Sequence, residues 1–443
     1  MKAGGGHAAV GAGVADAGLS SAATFSMGLY AARSLEPVAL GAYGLVFTAF
    51  LVATRFASQL VFKPAEIVAV SLPQEARLGI LRRSLALGAG PALAAGLALA
   101  LWTFLAPASV PHDVVVALTL TGVLTAFVSP VQDHVRAILH VGRASWRAAG
   151  MSATLLGAAL ASLWLLPLWG AAAAWVPFGA LAVGNVVSLV LGLGTLRDRG
   201  AGHPPVSLAY RPLIRSGAWL LLIALLPSGA AFICAALMLH LAGPAAMGYA
   251  EASRVLGQPP WVLSMGLSAV LGPRSMRAAQ EGNLEAARAV SRLFAGIMLV
   301  IGLPYVVLVG WPWPWNPLTR VVPNAYHVPY LLLVSMVGSV LIGMDWPYRS
   351  ELIGSGRQTA LAKLESAANL ARTAIAATAG VIGAFAIPVG WVCLAVVRSV
   401  GYRIALRPLY AHDATHLPAR DPRVLQPRAG GIVPYEETRR PAT

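Results

Sequence analysis

The sequence predicts an all-α polytopic membrane protein of about twelve transmembrane helices in two six-helix lobes, on three observations. Of 443 residues, 57% are hydrophobic and only 11% are charged. A soluble domain has no use for that much apolar surface. Runs of about twenty apolar residues recur along the chain, each long enough to cross a hydrocarbon core of about 30 Å as a helix. The third observation is a weak internal repeat: Pro37, Leu40, Gly41 and Tyr43 correspond to Pro244, Met247, Gly248 and Tyr249. Each copy opens an apolar helix that carries an arginine, Arg55 in the first and Arg254 in the second. Such repeats are how many transporters look in sequence.

Apolar runs and their breakers place spans at 12–32, 40–62, 84–106, 113–140, 150–169, 172–196, 216–241, 245–271, 290–311, 328–352, 364–386 and 388–407. The corresponding organisation is a short cytoplasmic N-terminal tail (1–11), an N-terminal lobe (12–196), a cytoplasmic linker (197–215), a C-terminal lobe (216–407) and a disordered cytoplasmic tail (408–443). The net charge of +15 does not signal nucleic acid, because the cations sit in short loops between hydrophobic runs. Lys63, Arg77, Arg82, Arg83, Arg143, Arg147, Arg197, Arg199, Arg211, Arg215, Arg274, Arg277, Arg288, Arg292, Arg357 and Lys363 fall on one side, and only Arg33 and Arg320 on the other. The positive-inside rule then puts both termini in the cytoplasm. The stretches 73–83 and 276–293 have arginines spaced for one helical face and are expected to lie along lipid headgroups. The segment from Trp311 to Val328, rich in Trp and Pro, suits a rigid interfacial anchor, with a lid as the other reading. Cys234 and Cys393 both lie in apolar runs and imply neither a disulfide framework nor a metal cluster.

Ionisable groups inside hydrocarbon are costly and face a bundle interior or a wet cavity. In the second span Thr48, Arg55 and Gln59 share a helical face, with Arg55 about 20 Å from the external start at 1.5 Å per residue. In the eighth, Glu251, Arg254 and Gln258 do the same, and the pair Pro259 and Pro260 predicts a kink. The tenth carries Asp345 and Arg349; the eleventh Glu365, Asn369 and Arg372; the fourth Gln132, Asp133, Arg136 and His140; the first Asp16, Ser20 and Thr24. Local ion pairs (Glu251 with Arg254, Asp345 with Arg349, Glu365 with Arg372, Asp133 with Arg136) are one account of these stripes. The other is an anionic, phosphorylated cargo, since the arginine fork binds phosphate oxygens bidentately and keeps its charge everywhere.

No Walker loop, His-Glu-x-x-His pair, Cys/His cluster or Gly-x-Ser-x-Gly elbow is present, so the reading is a transporter rather than an enzyme. The run Ala31-Ala32-Arg33-Ser34-Leu35-Glu36-Pro37-x-x-Leu40-Gly41-x-Tyr43-Gly44 resembles the first external loop of the superfamily that joins MATE transporters, polysaccharide exporters and lipid II flippases. Gly243-Pro244-x-x-Met247-Gly248-Tyr249-x-x-Ala252, with Pro273-Arg274-Ser275 and Glu281 to Glu285, resembles its seventh-to-ninth span region. The likeness is to the Wzx-like polysaccharide-biosynthesis flippases in particular. It implies a V-shaped MATE-like fold around a cationic cavity, moving lipid-linked saccharide by alternating access. Asp16 stands where the family's first-span arginine pattern would be.

The expected function is therefore a flippase that carries a polyprenyl-diphosphate-linked oligosaccharide across the cytoplasmic membrane for cell-surface polysaccharide export. Arg55 and Arg254 would engage the diphosphate with Arg349 and Arg372 in support, while Glu251, Asp345 or Glu365 would bind a coupling ion, H+ or Na+, or neutralise charge. No cofactor is expected, and the partners are the lipid-linked saccharide, membrane lipid and polysaccharide assembly proteins. The alternatives are a MATE-type ion-coupled drug or cation antiporter, and a membrane polysaccharide polymerase or ligase, for which Arg320 and His327 are the external candidates.

Overall fold

The computed structural model describes residues 4–70, 74–142, 144–197, 210–313, 315–316 and 322–411, and those residues are helical with short connections. Twelve rods run in chain order. The first half comprises α1 (Gly4–Ser34), α2 (Pro37–Ala57, a π turn Ser58–Phe62, then Lys63–Val70), α3 (Gln74–Leu99), α4 (His112–Val141), α5 (Ser145–Leu168) and α6 (Val176–Arg197). The second comprises α7 (Tyr210–Leu241), α8 (Pro244–Leu256 and Gln258–Gln280), α9 (Leu284–Tyr305), α10 (Leu331–Met344 and Trp346–Gly354), α11 (Gln358–Ala376) and α12 (Ala386–Ala411). Below, "inner" and "outer" name the ends of the bundle after the arginine bias of the loops.

The helices overrun the predicted spans. α1 already begins at Gly4, so the expected tail 1–11 is mostly helix, and α7 begins at Tyr210, so Arg211 and Arg215 lie in its first turns rather than in a linker. The rest of the linker, and the tail beyond Ala411, lie outside the described residues. Nine rods are long and apolar enough to cross a membrane. The other three, α1, α8 and α11, carry Asp16, the Glu251 to Gln258 stripe and the Glu365 to Arg372 stripe. Asp16, Glu251, Glu365, Asn369 and Arg372 on these three are buried in the protein.

Within the first half α1 packs on α5, α5 on α6, α4 on α6 and α3 on α4; within the second α11 packs on α12, and α8 on α9 and α10. The lobes meet through α1, α2, α7 and α8. At the outer end the internal repeat becomes a physical contact: a Cβ on Gly41 would overlap the Pro244 carbonyl, and one on Gly248 would overlap the Pro37 carbonyl. Small residues let helix backbones touch in this way. Residues 39–50 of α2 are buried all round, as is most of α8 from Met247 to Gly257, whereas from Leu51 and from Gln258 onwards burial becomes intermittent. The central helices are therefore sealed together outside and part towards the inner end.

Two further features fit this shape. The kink predicted at Pro259 and Pro260 is present, and the Leu256 carbonyl, which loses its helical donor to Pro260, accepts the Tyr305 hydroxyl at 2.9 Å. In the segment before α10, whose residues 314 and 317–321 lie outside the described residues, Tyr326 reaches across the lobes: its hydroxyl donates to the Leu35 carbonyl at 2.6 Å and its ring meets Tyr249 edge-on at 6.0 Å. Burial pushes that hydroxyl well above the usual tyrosine range, so it stays a donor. The lid reading thus has a physical basis beside the anchor reading.

Gly41→Val inserts atoms where a backbone carbonyl stands, at a cost of about 1–3 kcal/mol. With both native cysteines replaced, a cysteine at Thr48 on the same face should react with an outside-added impermeant maleimide about tenfold faster in the Gly41→Val background, a shift of about 1.4 kcal/mol in the closed population. Equal rates would mean that this seam does not seal the outer side.

Candidate functional site

The face of α2 that touches α8 can be followed inwards by helical geometry. Gly44, which rests on Met247 and Glu251, leads to Thr48 about 40° round the helix and then to Arg55, which returns to within about 20° of Gly44 at 100° per residue. Arg55 therefore points towards α8 at a depth where α8 has already moved away. Its side chain is exposed, with no hydrogen bond or ion pair shown; Asp133 on α4 is the acidic group whose field reaches it. The π turn that follows at Ser58 lets Gly217 of α7 pack on the carbonyls of Gln59 and Leu60. π turns of this kind are common at functional sites.

Arg254 has a different environment. Its Nε and Nη2 donate to the two carboxylate oxygens of Glu251 at 2.8 and 2.6 Å, and its guanidinium stacks on Phe47 of α2 at 4.5 Å. Glu251 is 1% exposed, so this is a buried, neutral fork set into the seam between lobes. The Tyr43 hydroxyl beside it is buried without a partner. Arg254 stands 10 residues into α8 and Arg55 18 residues into α2, about 12 Å deeper at 1.5 Å per residue.

Near the inner end of the first lobe, Asp16 accepts Ser152 Oγ at 2.6 Å and His140 Nε2 at 3.0 Å, with Arg136 Nη1 at 3.5 Å. Arg136 also donates to Asp133 at 2.7 Å, which ties α1, α4 and α5 into one network beside Arg55. The second lobe has its own network. Glu365 accepts Arg398 and the Tyr402 hydroxyl, with Arg349 Nε further off at 3.9 Å. Asp345 sits at the break in α10, where Pro347 interrupts the ladder, and accepts Ser399; its second oxygen is buried without a partner. Arg349 lies over Trp346 at 5.2 Å and is partly exposed. Arg372 is buried against Trp391.

Of the four local ion pairs expected from spacing, Glu251 with Arg254 and Asp133 with Arg136 form. The other two do not: Asp345 turns to Ser399 and Glu365 to Arg398, both on α12. Arg398, Ser399 and Tyr402 were missed because α12 reads as an apolar span. Their spacing from Trp391, seven residues to Arg398 and four more to Tyr402, was the available signal for a shared face.

This arrangement defines a MATE-type fold, two six-helix lobes sealed along α2 and α8. No protein-family model matches the chain, and no curated protein matches it in sequence. Solved structures do. A multidrug resistance MATE family transporter of the MOP superfamily in its inward-facing conformation superposes with a TM-score of 0.71 at 14% identity, covering 90% of this chain and 96% of that one. The outward-facing conformation of a transporter of that description scores 0.59 at 17% identity, covering 92% and 97%. The lipid II flippase MurJ, in an inward closed conformation, scores 0.62 at 9% identity, covering 88% and 86%.

Removing one member of the seam pair leaves a buried, uncompensated charge. Arg254→Met should destabilise the protein by about 3–5 kcal/mol, and the double variant Glu251→Gln with Arg254→Met by much less. Denaturant titration of Arg254→Met, of Glu251→Gln alone and of the double variant checks this; additive losses would show that the pair is not closed.

Proposed function

We propose that this multi-pass membrane protein is a flippase, moving a polyprenyl-diphosphate-linked oligosaccharide from the inner to the outer leaflet of the cytoplasmic membrane by alternating access, for cell-surface polysaccharide export. The observation that carries the reading is Arg55: a permanent cation, exposed and unpaired, on the lobe-facing side of a central helix. A guanidinium in that position is a ready bidentate partner for a diphosphate entering from the inner end. Arg349, held only loosely by Glu365, is the second accessible cation. Arg254 would act later, once the parting of the outer seam loosens its fork with Glu251. In the orientation given by the arginine bias both termini are cytoplasmic, and the polar loops are free to meet polysaccharide assembly proteins. For a coupling H+ or Na+, Asp345 has an oxygen to spare, whereas Glu251 and Glu365 are taken by arginines.

A second reading, an ion-coupled drug or cation antiporter, is favoured by the aromatic cluster of Trp261, Trp346 and Trp391, with ring centroids 6.1 and 6.3 Å apart around Trp261. Such a surface suits planar organic cations.

Proteoliposomes separate the two. With the purified chain incorporated, a fluorescent polyprenyl-diphosphate saccharide should become accessible on the opposite leaflet, and Arg55→Ala should slow this about 10–100-fold, the loss of one charge-assisted contact. Arg55→Lys should restore part of the rate. Ethidium efflux without saccharide flipping would select the antiporter; wild-type flipping by Arg55→Ala would keep the flippase and remove the residue.

A further inference from the structure

Arg372 is the residue that the proposed translocation does not explain. It sits on α11 where α7 and α12 converge, is 8% exposed, and has no hydrogen bond or ion pair among the described residues; its Nε is buried without a partner. Its guanidinium lies 5.1 Å from the ring of Trp391, and its stem packs against Gly390, where a Cβ would stand 3.3 Å from its Cγ. Cys234 of α7 closes the far side, with its thiol 3.8 Å from the Thr373 hydroxyl. The groups whose fields reach Arg372 are the Cys234 thiol first and then the positive Arg398. Among the lobe's buried acidic groups Glu365 pairs with Arg398 and Tyr402, Glu351 with Ser291 and Glu251 with Arg254, and Asp345 turns one oxygen to Ser399; none pairs with Arg372 among the described residues.

An arginine cannot escape this position by losing its proton. A buried cation with a second cation as its neighbour and only an aromatic face beneath it is left short of negative charge, and an orphaned buried donor calls for an occupant. The room is small, because Gly390 and Trp391 hold the side chain closely and little of it reaches the surface. So enclosed a guanidinium favours a monatomic ion over a diphosphate headgroup.

We propose that Arg372, on the face of Trp391, binds a small monovalent anion of the chloride or bromide class inside the second lobe. Thr373 Oγ1 already donates to the Asn369 carbonyl at 2.9 Å and accepts from the Cys234 thiol, so the guanidinium itself supplies the donors to the ion. An anion there neutralises the α11–α12 junction and holds α7 to it. The same α7 packs through Gly217 on the backbone of α2, so occupancy is transmitted to a helix that joins the lobes. The inference does not depend on what the protein carries.

The test is halide binding by the purified full-length chain, with gluconate exchanged for chloride or bromide at constant ionic strength. Wild type should show a saturable rise in unfolding temperature of about 2–6 °C. Arg372→Met should lose the rise while Arg349→Met keeps it. An identical unfolding temperature in gluconate and chloride, or a full rise in Arg372→Met, overturns the site. Should Arg372→Met fail to fold, bromide quenching decides: saturable quenching of tryptophan fluorescence in wild type should disappear in Trp391→Phe, and its persistence there overturns the assignment. Neither readout uses transport, so this site and the flippase reading stand or fall separately.

Discussion

The architecture depends on one contact, the meeting of two helix backbones at Gly41 and Gly248. Each glycine lies against the carbonyl of the proline that opens the other helix, so the two halves of the chain touch at equivalent positions related by a near two-fold. Without side chains between them, the helices approach closely enough to exclude lipid and water from the outer half of the interface. Everything inward of this seal is geometry that follows: two rods joined at one end must diverge or bend at the other. α8 bends, at Pro259 and Pro260, and α2 changes pitch at Ser58. Both irregularities fall inward of the seal and leave few backbone groups without partners, as Tyr305 shows at the Leu256 carbonyl.

The ion pairs obey a second constraint: among the described residues each of them lies within one lobe. Asp16, Asp133, Arg136 and His140 form theirs in the first lobe, and Glu365 with Arg398 in the second. The Glu251–Arg254 fork is confined to one helix, so the lobes can separate without breaking an ion pair between them. What must break is apolar and aromatic contact, the stacking of Arg254 on Phe47, and the hydrogen bond from Tyr326 to Leu35. Each of these is modest singly, which is what a reversible seal requires.

Much of the fold was legible in the sequence, because hydrocarbon thickness fixes span length and apolar runs announce it. The four-residue repeat around Pro37 and Pro244 pointed to the seam itself. Side-chain partners were less legible. Spacing predicts pairs within one helix, and it succeeded for Glu251 with Arg254, where the helix is regular. It failed for Asp345 with Arg349, because Pro347 breaks the helix at Asp345, and for Glu365, whose better partner lies 33 residues away on α12. The register of one helix against another is not written in a single sequence. The depth of Arg55 was readable, but its lack of partners was not, since that depends on where α8 diverges.

The repeat also suggests an order of events. Aligning Pro37 with Pro244 places Arg254 opposite Phe47, the residue on which it stacks, and Arg55 opposite Val262. The two arginines are therefore not symmetry mates that grip one group together. One stands in the inner opening; the other is shut into the outer seal about 12 Å away along the helices. On the flippase reading proposed above, an anionic headgroup admitted from the inner end would meet Arg55 first, while Arg254 is still satisfied by Glu251. On the same reading, opening the outer seam would remove Phe47 from the guanidinium and let water reach Glu251, weakening the fork when the headgroup needs a second cation. A carboxylate that releases its arginine only when the outer side opens makes the second grip conditional on the conformational change. On that reading the order in which the two arginines are met follows from this difference in depth.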